Sequence, residues 1–327
     1  MSDRSFKPIV EGTVYNPDVK ENPAMGHRTP RASVVVRTKN CEKIIGQTLT
    51  ALFSQDFKDF ELIVVDSGST DHTLDIVRNY PCNLVNMDPN EYLSGRSLNL
   101  GASHARADVL VFLNSDTVPL TPHALGLLVA ALDDPGVQAA FARQVPRPDA
   151  KSWVRHEVGV AFPDSEDDLS FLVPFAAPFS AMRRSAWDEH PFFEDAWGSE
   201  DTEWGHWARL NNRKITYVKD ARAMHSHNHN LRQLYGRLYT EGEALALILR
   251  DKDSLAASCG RGVVATARDC AYAIRHGCLA DLPIIPIRRA VMHWAYYKGH
   301  KLGERRLRTG DTDPTTGQQT ILKRYDG

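Results

Sequence analysis

Apolar positions in the first half of the chain come in blocks, not in strict alternation. Ser33-Val34-Val35-Val36-Arg37, Phe60 to Val65 and Val109 to Leu113 centre on continuous runs of β-branched, leucine and aromatic side chains. That is the pattern of strands buried on both faces of a parallel sheet. Between them Ile44 to Phe53, Asp71 to Tyr80 and Arg96 to Ala105 carry helical spacing, and Asn83 to Val85 reads as a short strand. Strands alternating with helices at this interval predict βαβ units. Beyond Gln144 the pattern loosens. Residues 146 to 172, rich in proline and acid (Asp164, Glu166, Asp167, Asp168), read as loop and irregular helix. An apolar segment from Pro174 to Met182, a helix from Thr202 to Asn211 and a strand from Lys214 to Val218 follow, and residues after about 231 are helical and increasingly basic. The expected organisation is an irregular leader over 1–30, an α/β domain over 31–230 and a helical, basic region over 231–327.

Composition narrows the possibilities. With 327 residues and 42 % hydrophobic, 24 % charged, the chain has the balance of an ordinary globular protein. A formal net charge of −2 leaves no global field to recruit nucleic acid or membrane, so any electrostatic targeting must be local. The five cysteines include no C-x-x-C pair, which argues against a disulfide framework or zinc ribbon and for a reducing compartment. Met1 to Arg31 is polar and holds Pro8, Pro17, Pro23 and Pro30, so no secretory signal is expected. No run reaches the ~18 apolar residues of a membrane-spanning helix. The expected location is cytoplasmic, with possible peripheral association at the inner face of the membrane.

In an open α/β sheet, ligands bind at the carboxyl ends of the strands. Two acidic clusters fall there: Asp66-Ser67-Gly68-Ser69-Thr70-Asp71 after the second long strand, and Asn114-Ser115-Asp116 after the strand at 109–113. Each alone reads equally well as a turn that caps the next helix.

Taken together and in order, these segments resemble the family 2 glycosyltransferases. The first cluster matches that family's D-[DS]-G-S-x-D turn. Val35 to Asn40 resembles its first strand and exit, and Asn99-Leu100-Gly101-Ala102 with Ala105 to Asp116 its N-x-G…A…[DNS]-x-D stretch. Gly198 to Glu203 resembles G-x-E-D-x-E, and Asp220 to His225 its late strand ending in histidine. The likeness spans roughly Ala32 to His229. It implies a GT-A fold, a Rossmann-like α/β, mostly parallel sheet with flanking helices, here with a C-terminal helical appendage. It implies an inverting enzyme that moves a sugar from a nucleotide-diphosphate donor to a hydroxyl of a glycan or lipid-linked glycan acceptor, helped by Mn²⁺ or Mg²⁺. A hard divalent cation neutralises the charge that grows on the departing diphosphate.

The resemblance also assigns residues. Asp116, last acid of the D-x-D position, goes to the metal; Asn114 replaces the first acid and falls to the nucleotide. His225 is the expected second ligand, with His227 in competition because alternate strand residues share a face. Asp66, Thr38 and Asp71 are expected around the nucleotide, with Arg96 and Arg143 as candidate phosphate or sugar contacts. Asp201 matches the catalytic base and Glu200 is its neighbour. Without the resemblance, both acids would read as complements to a helix dipole. A dinucleotide dehydrogenase or a pyrophosphorylase would need glycines directly after the first strand, where Arg37-Thr38-Lys39-Asn40-Cys41 stands. A non-catalytic sugar-nucleotide or glycan-binding protein on the same fold is the alternative from another class. Finally, Ile287, Ala290, Val291, Trp294 and Tyr297 share a helical face, with Arg288, Arg289 and His293 opposite and further basic residues following. Such a helix suits an anionic membrane interface, or else packs on the catalytic domain or a dimer partner.

Overall fold

The structure, a computed structural model, describes residues 28–165 and 172–311. Nearly all of the leader and the acids Glu166, Asp167 and Asp168 lie outside the described residues.

The apolar blocks form the central strands β1 (Ala32–Thr38), β2 (Phe60–Asp66), β3 (Asn83–Asn86) and β4 (Val109–Asn114). Four more follow: β5 (Val118–Pro119), β6 (Val137–Val145), β7 (Phe179–Arg183) and β8 (Lys214–Met224). All eight make one sheet in the order β3-β2-β1-β4-β7-β6-β8-β5. β1 pairs in parallel with both β2 and β4, and β6 in parallel with β8. β7 runs antiparallel to both its neighbours, so the apolar segment before Met182 becomes a strand only from Phe179. The carboxyl ends of β1, β2, β4, β6 and β8 therefore lie along one edge.

Helices cover both faces, which is why the strands are apolar throughout. Val34 and Val36 enter one core with Leu49 and Leu52 of α1 (Ile45–Phe53). That side also takes in α2 (Thr73–Val77), shorter than expected, and α4 (Ala124–Ala131). Val35 enters the other core with Leu98 of α3 (Ser94–Ser103) and, further on, Trp204 of α7 (Glu200–Leu210). Gly101 explains how closely α3 lies on the sheet: a Cβ there would stand 2.3 Å from Val35. Residues read as loop and irregular helix contain a regular helix, α5 (Ser152–Ala161), and α6 (Arg184–Glu189) follows β7. Of the aromatics between β6 and α7, Trp153, Phe162, Phe175, Phe179 and Trp187 are buried core, whereas Trp197 is half-buried with its ring edge-on to Tyr92.

The C-terminal region comprises α8 (Leu231–Leu249), α9 (Leu255–Arg275) and α10 (Ile285–Thr309). Glycines allow α8 and α10 to touch backbone to backbone, since a Cβ on Gly299 would fall 1.8 Å from the Tyr239 carbonyl oxygen. The polar side of α10 faces inward and packs on the rest of the chain. Arg288 forks onto Glu157 of α5 at 3.1 Å through both nitrogens. Arg289 does the same to Asp269 of α9, at 2.6 and 2.9 Å. Arg306 is buried against Glu243 of α8 at 2.6 Å. Ile287 and Trp294 are instead left 52 % and 49 % exposed. Carboxylates supplied by neighbouring helices, invisible in the periodicity of α10 itself, decide which side turns in.

Candidate active site

The geometry of the carboxyl edge follows from register. Thr38 lies opposite Asp66 and Arg37 opposite Asn114. Asp66 is 2 % exposed, and its carboxylate holds its own turn: Oδ2 accepts the amides of Gly68 and Ser69, both at 2.9 Å, and Oδ1 accepts the Ser69 hydroxyl at 2.5 Å. Gly68 adopts φ 85°, which is why glycine stands there. Beside this turn the buried Thr38 Oγ1 has no hydrogen-bond partner among the described residues, an unspent polar atom at the place a nucleotide is expected. Asp71 caps the start of α2 through the Thr73 amide at 2.9 Å and also accepts the Glu42 amide at 3.2 Å. Arg96 is tied to Glu194 at 3.4 Å and to the Glu91 carbonyl at 3.1 Å, and Arg143 is held by Asp164. Both arginines act as struts between segments.

A second cluster forms where β5 meets β8. β5 pairs Val118 with Met224, and the His225 amide donates to the Val145 carbonyl at 3.0 Å. A two-residue strand thus fixes the chain just after Asp116 against the chain just before His225. His225 Nε2 lies 3.6 Å from Asp116 Oδ1 and His227 Nε2 lies 3.3 Å from Asp116 Oδ2, with the two Nε2 atoms 3.2 Å apart. These are separations that neighbouring ligands of one ion adopt at bonds of ~2.1 Å. His225 Nδ1 lies 2.7 Å from Gln144 Oε1, an acceptor that fixes the proton on Nδ1 and leaves Nε2 its lone pair. Burial is the main reason the His225 imidazole is pushed down to about 4, with Asp116 pulling the other way; His227 is lowered chiefly by burial too. Neutral imidazoles are what a cation needs. Among the described residues this trio is the group whose geometry fits a metal ion. His229 stacks on His227 with ring centroids 5.1 Å apart and is not part of it.

The acidic pair begins α7. Ser199, immediately before it, holds φ 68°, a conformation that costs a non-glycine residue about 1 kcal/mol or more and tends to occur at functional sites. Glu200 is 4 % exposed; its Oε1 accepts Arg37 Nη1 at 2.8 Å and the hydroxyl of Ser94. Asp201 is less enclosed and meets no charged partner at hydrogen-bond distance among the described residues: it accepts the amides of Thr202 at 2.8 Å and Ala177 at 3.3 Å and the Thr202 hydroxyl at 3.5 Å. Burial, followed by the Glu200 charge, pushes its carboxyl up to about 6. One acid is pinned and the other is poised to take a proton near neutral pH.

Arg37 links the two clusters. Its Nε donates to Asn114 Oδ1 at 3.2 Å. Burial opposes its charge, and Glu200, Tyr92, Asp201 and Asp116 more than offset that, so its pKa is raised. Arg147 and Arg237 also escaped the sequence reading. Arg147 Nη2 donates to the Asp116 carbonyl at 2.9 Å, and Arg237 Nη1 stands 3.4 Å from His229 Nε2. Both depress the histidines electrostatically, after burial. A charge closing an apolar strand was a signal available at Arg37. Arg147 follows a strand that was not recognised, and Arg237 lies in a helix read only as basic.

Comparison with known proteins agrees with this layout. Residues 33–191 match the family described as Glycosyl transferase family 2. The chain is 28 % identical over 224 residues to the O-antigen chain rhamnosyltransferase RfbN of Salmonella typhimurium, covering 65 % of this chain and 71 % of that protein. It is 30 % identical over 193 residues to the O-antigen chain rhamnosyltransferase WbaN of Salmonella anatum, covering 56 % and 61 %. In fold it is similar to the mannosyltransferase PcManGT from Pyrobaculum calidifontis, solved in complex with GDP-Man and Mn²⁺. The TM-score is 0.59 at 20 % identity, over 88 % of this chain and 89 % of that one.

Proposed function

Since the chain belongs to glycosyl transferase family 2, we propose that it is a metal-assisted, inverting enzyme that uses Asp201 as its base. The reading rests on one observation above all: the Arg37 guanidinium donates to Asn114, two residues before Asp116, at 3.2 Å and to Glu200, the neighbour of Asp201, at 2.8 Å, which supports one site for the candidate base and the candidate metal trio. Asp201 takes the proton of the acceptor hydroxyl as its oxygen attacks the anomeric carbon, and the bond to the diphosphate breaks on the opposite side. One displacement inverts the anomeric configuration. A free alcohol is far too weak an acid for a carboxylate to ionise beforehand, so proton transfer accompanies bond formation. Asp116, His225 and His227 would hold a divalent cation, which when bound neutralises charge on the leaving diphosphate. Two imidazoles in the set favour Mn²⁺ over Mg²⁺. Arg147 and Arg237 add fixed positive charge on the same side. Thr38, Asp66, Asp71 and Asn114 receive the nucleoside.

The two Salmonella relatives are rhamnosyltransferases by name, which supports a nucleoside-diphosphate deoxyhexose as the first donor to test. The acceptor on this reading is a glycan or lipid-linked glycan, reached from a peripheral position on the membrane. No helix of the described residues is long and apolar enough to cross one. The test is hydrolysis of a panel of nucleoside-diphosphate sugars without acceptor, with Mn²⁺ and with chelator, beside thermal stabilisation by the matching diphosphates. Metal-dependent hydrolysis is expected. Full activity in chelator would remove the metal, and stabilisation without turnover on any donor would favour a non-catalytic binding protein.

A further inference from the structure

α9 is amphipathic with its apolar side turned outward. Ser258, Asp269 and Ala273 face the protein. On the opposite side Ala256, Val263, Val264, Ala267, Ala271 and Ile274 recur at helical spacing, all exposed, Val263 at 71 %, Val264 at 51 % and Ile274 at 59 %. Arg261, Arg268 and Arg275, each seven residues from the next and each exposed, run along one edge of this stripe, with Arg261 also paired to Asp253 at 2.6 Å. The helix has a single acid, Asp269, which is 1 % exposed and bound by Arg289. At ~1.5 Å per residue, its 21 residues make a surface about 30 Å long.

We propose that this face of α9 lies flat on an anionic lipid bilayer, with the apolar stripe in the interfacial layer and the arginine row at the headgroups. Charge decides the occupant. A second copy docked antiparallel about a two-fold axis would set the arginine row against itself. Docked parallel, it would oppose the row with the other edge, Cys259, Thr266 and Cys270, which offers no acid. An anionic headgroup layer complements both the stripe and the row. The inference rests on the peripheral-membrane part of the proposed function and gives it a surface; it is independent of the catalytic assignments.

The experiment is co-sedimentation of the full chain with vesicles of phosphatidylcholine alone or mixed with phosphatidylglycerol. Sedimentation velocity without lipid and donor hydrolysis in solution are measured in parallel. Binding to the phosphatidylglycerol vesicles is expected, with little to phosphatidylcholine alone, and it should fall as salt rises. Val263→Glu and Ile274→Glu, at exposed positions, should each lower binding at least tenfold. Arg268→Gln and Arg275→Gln should each lower it roughly fivefold. Donor hydrolysis should not change in any of the four. No binding at low salt, or binding that the two glutamates leave intact, overturns the proposal. So does a wild-type dimer that Val263→Glu dissociates in the absence of vesicle binding. Loss of vesicle binding with donor hydrolysis retained would leave the catalytic reading standing.

Discussion

Arg37 Nη1 and Glu200 Oε1 form a buried ion pair, 2.8 Å apart, that joins the end of β1 to the first residue of α7. The pair gives Glu200 and Asp201, adjacent and chemically alike, different surroundings. Arg37→Ala would leave Glu200 buried without its counter-charge, a loss of about 3–5 kcal/mol, measurable by urea unfolding. Arg37→Lys should recover only part of it, because a point charge does not reproduce the fork that also reaches Asn114.

The same pair has a consequence for pH. The Asp201 carboxyl is raised to about 6, by burial first and by Glu200 second. A base must be ionised to act, so kcat/KM should fall as pH drops through about 6. Glu200→Gln removes the like charge and leaves Arg37 uncompensated, and both changes favour the Asp201 carboxylate. The acid limb should therefore move to lower pH in that variant. A pH–rate profile with its limb unmoved would contradict the assignment.

For the metal trio, Asp116→Ala and His225→Ala should each weaken Mn²⁺-dependent nucleotide binding by at least ~10-fold, and His229→Ala should not. His227→Ala should fall between, since that ring is more exposed than His225. Gln144→Leu touches no candidate ligand position directly but frees His225 Nδ1, and a ~10-fold loss is expected from that alone. Isothermal titration with Mn²⁺ and a nucleoside diphosphate measures all five.

Arg237 offers a test of the leaving-group side. Removing its charge in Arg237→Ala should lower kcat/KM for the donor by about 10-fold or more, while the thermal midpoint stays near wild type because the side chain is exposed. Equal donor kinetics in the variant would show that Arg237 only lies near the histidines.

Much of this architecture could be read from local pattern. β1, β2 and β4 are visible because burial on both faces demands uninterrupted apolar runs, and the turns at Asp66 and Asp116 follow from where those runs end. β6 was missed: Val137–Val145 mixes Gln138, Arg143 and Gln144 into the strand, tolerated because Arg143 finds Asp164 and Gln144 finds His225. β8 was expected to stop at Val218. Its pairing with β6 jumps from Val218 to Arg222 while β6 advances one residue, and no sequence period predicts that irregularity. In α10, the turn of Arg288 and Arg289 toward the interior depends on Glu157, 131 residues away in α5, and on Asp269, 20 residues away in α9. Local periodicity shows that a helix has two sides, and only the packed neighbours determine which of them is covered.

The most direct measurement is single-turnover and steady-state kinetics of Asp201→Asn beside its nucleotide affinity, with the preferred donor and Mn²⁺. Asparagine preserves the shape and the amide contacts but cannot take the proton. The account predicts kcat lower by about 10²–10⁴ with nucleotide binding nearly unchanged. Turnover close to wild type in Asp201→Asn, with Glu200→Gln the inactive variant, would contradict it.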